Sequence, residues 1–186
     1  MSSFELQEEA RELLSLWFES RGENALPRQQ FLDPLKLRRW VGNVSIIHVR
    51  DGPKRFYVAL HGSRVARHLG PDFNRKYLED VIPELALQDA LAPYELSIEK
   101  KMPTYSVQRQ TLDNGLFKSL ERMALPCSTD DPGTVDRFLV WVAPIETGDV
   151  ASPSICTPFS EVETDPLRAE DPDNSSKLFL LSKDWC

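Results

Sequence analysis

The chain has 186 residues, of which 41% are hydrophobic and 27% charged, with a formal net charge of −7 at pH 7. That length gives room for one well-packed domain with chain to spare, and the composition is ordinary for a soluble globular protein and unlike that of a disordered or fibrous one. No apolar run approaches the roughly 20 residues that a membrane span needs. The acidic, amphipathic start MSSFELQEEARELL is unlike a secretory signal. Cys127, Cys156 and Cys186 have no metal-ligand spacing and cannot all pair with one another, which points to a reducing, cytoplasmic setting. Nine acids and three bases fall between Glu146 and Cys186, so the rest of the chain is near neutral. A broad basic field of the kind a nucleic-acid binder needs is missing.

Residues 4–18 place Leu6, Ala10, Leu13, Leu14 and Trp17 on one stripe, with Glu5, Glu8, Glu9 and Glu12 facing away. This is an amphipathic helix, and its stripe has two outlets: its own domain or a twin helix. Asp33-Pro34 is a capping residue followed by proline at the first helical position. Val44–Arg50 and Phe56–His61 then read as strands of a hairpin turned by Asp51-Gly52-Pro53. Gly62 breaks the second strand, Ser63 is the expected N-cap, and Val65, Ala66 and Leu69 carry a short helix closed by Gly70-Pro71. Asp72 and Asn74 are placed to cap a further turn through Tyr77, Leu78 and Val81.

Helical spacing resumes over Leu85–Lys101, where Pro93 is expected to break or kink the helix. Thr104–Leu112, Leu116–Leu125 and Arg137–Pro144 are three further strands, joined by turns at Asp113-Asn114-Gly115 and Asp130–Gly133. Two hairpin groups interrupted by helices predict an α+β fold: a five-stranded antiparallel sheet with short helices on one face, plus the N-terminal amphipathic helix. Residues 1–26 form the helix and linker, 27–145 the domain, and 146–186 an acidic, proline-containing tail expected to be largely flexible. Its end, KLFLLSKDWC over residues 177–186, is apolar again. It reads either as docked on the domain or as a partner-binding segment.

No set of residues carries a catalytic signature. His48, His61 and His68 lack a serine in a nucleophile elbow, and His61 and His68 are seven apart rather than on one helical face. No phosphate-binding glycine loop is present. Catalytic residues and metal ligands are therefore not assigned, and no enzyme is expected. Arg64, Arg67, Arg75 and Lys76 crowd the central helices and read as a solvated basic face.

Phe56-Tyr57, Gly62-Ser63, Val65 to Leu69, Gly70 with Asp72, and Leu78 to Val81 together resemble the core of the PAS superfamily. The likeness is greatest to the bacterial branch found as single PAS domains in alphaproteobacteria, and the Asp33-Pro34 helix belongs to the same pattern. Ala59 stands where that branch often has arginine, and Asn74-Arg75 replaces its usual Thr-Gly. The resemblance implies a sensory or regulatory module, with a small molecule between sheet and helices or a protein partner, and a signal passed through the flanking helix. It also implies a homodimer, with Leu6, Leu13, Leu14 and Trp17 in the seam. Candidate ligand contacts are Tyr57, His61, Arg109 and Glu121, Arg109 standing in for the arginine absent at position 59. The ligand or cofactor is unknown at this level. The competing reading is a ligand-free interaction module, its core filled by its own side chains and its acidic tail recruiting a partner.

Overall fold

In the computed structural model, which describes residues 6–70, 72–111, 117–145 and 177–183, every strand joins one antiparallel sheet. The strands are β1 (Val44–Val49), β2 (Phe56–His61), β3 (Thr104–Thr111), β4 (Phe117–Cys127), β5 (Arg137–Pro144) and β6 (Lys177–Leu180), in the order β2-β1-β5-β4-β3-β6. β5, RFLVWVAP, shows no apolar alternation because it lies between β1 and β4 and is buried on both faces from Phe138 to Ala143. Five of the six strands are those expected. The sixth is the apolar end of the chain, where Leu178 and Leu180 pair with Ser106 and Thr104. Docking is thus the outcome for residues 177–180. The turn at Asp113-Asn114-Gly115 and tail residues 146–176 lie outside the described residues.

Side chains alternate across a strand, so the sheet has two differently covered faces. Over one lie α3 (Ser63–Leu69), α4 (Leu78–Val81) and the longer α5 (Glu84–Lys100). Glu79 fixes α4 to the start of β2, its carboxylate accepting from the backbone N–H of Arg55 at 2.6 Å and of Phe56 at 3.2 Å. Over the other lies α1 (Glu8–Arg21), preceding a segment that includes α2 (Pro34–Leu37). Asp33 caps α2 as its sequence predicts, accepting from Leu35 N–H at 2.9 Å.

The fate of the α1 stripe corrects the expected dimer seam. Leu13, Leu14 and Trp17 are each 0% exposed and Leu6 3%, all within the chain's own core. Trp17 Nε1 donates to the carbonyl of Pro126 on β4 at 2.7 Å, and Trp40 Nε1 donates to the Glu9 carbonyl at 3.0 Å. Each large apolar side chain buried this way contributes about 1.5–3 kcal/mol, so the helix gains most by closing the sheet of its own chain. Leu6, Leu13, Leu14 and Trp17 are buried there, inside the chain's own core.

Three local readings also change. Ser63 is the first residue of α3 and makes no capping bond; Gly62 holds the N-cap position. Gly62 has an ordinary φ of −62°, and glycine is required by close approach: a Cβ there would lie 2.5 Å from the Val44 carbonyl oxygen and 2.6 Å from that of Gly42. α5 runs through Pro93 as one element. The sheet supplies partners around it, Thr104 Oγ1 donating to the Pro93 carbonyl at 3.0 Å and Arg122 Nη1 to the Ala90 carbonyl at 3.2 Å. Gly70 closes α3 as expected, at a φ of +92° that disfavours other residues.

Candidate functional site

Between the sheet and the wall formed by α3, α4 and α5 lies a cavity of about 590 Å³. Ile47, Val58, Val140 and Val142 form its floor, while Val65, Leu69, Phe73 and Leu78 line its wall. The start of α5 borders the mouth, where Leu85 is 93% exposed. Five residues bring polar groups to this lining: Ser45, His61, Asp89, Tyr94 and Arg122. A mostly apolar concavity with a few polar groups is the usual form of a small-molecule site.

His61 reaches the cavity because of an irregularity in β2. Ile46 pairs with Leu60, yet Ile47 pairs with Val58, so Ala59 is an extra residue bulged out of the ladder. Strict alternation would put His61 on the same face as Tyr57. The bulge resets the count, and His61 and Val58 both line the cavity while Leu60 turns out to 45% exposure. His61 then meets its cross-strand partner, Nδ1 lying 3.0 Å from Ser45 Oγ, and stacks on Phe73 with ring centroids 5.3 Å apart. Burial lowers its pKa below the usual histidine value and favours the neutral ring at pH 7, against the opposing pull of the Asp72 carboxylate. Its Nε2 is buried without a hydrogen-bond partner.

Arg122 enters from β4, on the same face as Leu120. Its Nε donates to Ser106 Oγ at 3.2 Å and its Nη1 to the Ala90 carbonyl, while the guanidinium lies 5.3 Å from the centroid of the Tyr94 ring. Nη2 is buried with no partner. Sequence reasoning passed over this residue. The available signal was parity: in Leu120-Glu121-Arg122-Met123, arginine shares a face with Leu120 and Ala124.

Of the candidate ligand contacts whose side chains are described, Tyr57, His61 and Glu121, His61 lines this cavity. Tyr57 faces the other way and meets Tyr77 at 5.2 Å between ring centroids, with the Arg50 guanidinium 5.8 Å from its ring centre. Arg109 pairs in register with Ser119, not with Glu121, and its side chain lies outside the described residues. Glu121 projects from the opposite face, beneath α1. It is 4% exposed and accepts from Gln7 Nε2 at 3.1 Å, and the same amide donates to the Pro144 carbonyl at 3.2 Å. A side-chain hydrogen bond to it thus comes from an amide at the start of α1.

Burial raises the Glu121 pKa above 4.5, opposed by hydrogen bonds from Gln7 and Tyr105. A carboxyl whose pKa is raised by folding stabilises the fold fully below its unfolded value, and that contribution is lost as pH rises through the folded value. Glu121→Gln removes the loss and keeps an acceptor for Gln7. The melting temperature of this variant minus that of the wild type should therefore grow as pH rises above 4.5. A difference that stays flat or shrinks in a pH series of thermal melts would contradict the assignment.

An antiparallel sheet covered by short helices, with a half-open cavity between them, defines an α+β architecture. A family profile described as PAS domain matches residues 6–139, and the chain belongs to that family. PAS domains are generally sensory modules and typically non-catalytic. No curated protein matches the chain. Solved structures similar to it include the LOV protein of Rhodobacter sphaeroides, with 11% identity, a TM-score of 0.44 and coverage of 76% of this chain and 70% of that one. The VqmA dimer of Vibrio cholerae is similar at 9% identity and a TM-score of 0.43, over 61% of this chain and 51% of that one. The PAS domain of an HTR-like protein from Haloarcula marismortui is 17% identical, with a TM-score of 0.35, over 63% and 97% respectively. Among the described residues no helix is long and apolar enough to cross a membrane.

Proposed function

We propose that this PAS domain is a sensor that holds one small molecule in the cavity between sheet and helices, anchored by Arg122 and His61, and passes its occupancy to α1. The observation that carries the reading is a pair of orphans: Arg122 and His61 both line a largely apolar cavity, and Arg122 Nη2 and His61 Nε2 are buried without hydrogen-bond partners. Native cores rarely leave such groups unmade. A domain filled by its own side chains has no reason to keep both in one concavity.

The route to α1 runs through a single strand. Leu120 and Arg122 face the cavity, and Glu121 between them faces α1 and accepts from Gln7. A ligand that pulls on Arg122 displaces β4 and so biases the Gln7 contact that ties the start of α1 to β4 and β5. A protein partner would read the exposed side of that helix, which carries Glu8, Arg11 and Glu19.

Native mass spectrometry of gently purified protein tests the reading. A mass adduct that is released on denaturation, and lost from a His61→Ala, Arg122→Gln double variant, is expected. A bare-chain mass, together with no thermal stabilisation by a small-molecule extract of cells, would favour the ligand-free module instead.

A further inference from the structure

Resting on the reading of the cavity as a ligand site, we infer that its ligand is an organic anion: a monocarboxylate with an apolar body, its carboxylate paired with Arg122. The Arg122 guanidinium is charged at any physiological pH. Its described contacts are neutral: the Ser106 hydroxyl, the Ala90 carbonyl, and the ring and hydroxyl of Tyr94. No ion pair among the described residues includes it. Arg122 is half-buried, and a partly desolvated charge without a counter-charge is costly; its Nη2 is buried without a hydrogen-bond partner.

The remaining lining sets the rest of the molecule. Val58, Leu69, Phe73 and Val140 offer only hydrocarbon and an aromatic face, which suits an alkyl or aryl body rather than a sugar or a polyanion. His61 is neutral and offers a single polar atom, so the cavity presents one cationic anchor. Asp89 also lines it, but from the solvent-exposed side of α5, where its like charge acts on an incoming anion through screening water. Leu85, exposed at the mouth, extends the apolar path outward.

The test compares acids with their amides. Octanoate and phenylacetate are titrated calorimetrically against the full chain, each beside octanamide or phenylacetamide, and thermal melts are run in parallel. At least one acid should bind about tenfold or more tightly than its amide, the discrimination expected of a charge-assisted hydrogen bond in a buried site. Arg122→Gln should abolish that preference and leave the amide's weaker binding in place. The wild-type acid–amide comparison stands by itself if the variant folds poorly. Amides that bind as well as acids, or a neutral molecule retained by the purified protein, would overturn the anion and leave the ligand site standing. No binding by any probe and no retained molecule would overturn both.

Discussion

Gly62→Val is expected to cost roughly 2 kcal/mol or more, the scale of overpacking in a tight core. In a chain of this size that lowers the melting temperature by about 4–8 °C. The origin is local. β2 ends at His61 and α3 begins at Ser63, so one residue turns the chain from sheet to helix. That residue passes so close to the carbonyls of Val44 and Gly42 that a Cβ would overlap both, and these are backbone atoms that cannot swing aside. Ser63→Ala, at the next position, removes no capping bond and should leave the melt nearly unchanged. Thermal denaturation followed by circular dichroism distinguishes the two. Equal melting of wild type and the valine variant would mean that the turn is not packed in this way.

Trp17→Ala should be more damaging, with a cost of about 3–5 kcal/mol for a fully buried aromatic side chain. The indole is 0% exposed, packs edge-on to Phe18 at 4.9 Å between centroids, and supplies the hydrogen bond to the Pro126 carbonyl. Its removal opens a void between α1 and the sheet and leaves a carbonyl unpaired. The loss should appear at every protein concentration, because the side chain stabilises its own chain. A variant that keeps the wild-type melt but sediments at half the mass would show that Trp17 works between two copies, contrary to its burial here.

Strands that carry strong local signals are where sequence reasoning succeeded. Phe56–His61 and Arg137–Pro144 are bounded in the sequence as they are in the structure, because aromatic and branched residues between turn residues leave little choice. The amphipathic stripe of α1 was equally plain, but a stripe records only that something covers it. Its cover proved to be the face of β4 and β5 opposite the cavity, and no local pattern distinguishes that from a twin helix. The candidate site was less legible, for reasons of parity. The bulge at Ala59 has no marker in FYVALH, yet it sends Tyr57 and His61 to opposite faces. Glu121 and Arg122 are neighbours, so whichever faces the cavity excludes the other, and the likeness to other PAS domains drew notice to Glu121, which faces α1. Arg122 shares a face with Leu120, and the register of β4 against β5 decides the matter.

The central claim is that the cavity is a filled ligand site whose polar anchors are Arg122 and His61. The most direct measurement is a crystallographic electron-density map of the protein as purified, or soaked with the acid that binds it best. One continuous body of density is expected within the cavity, with an acceptor atom in hydrogen-bond contact with Arg122 Nη2 and a further contact at His61 Nε2. An empty cavity, or discrete waters satisfying both nitrogens while the acid is present at saturating concentration, would contradict it.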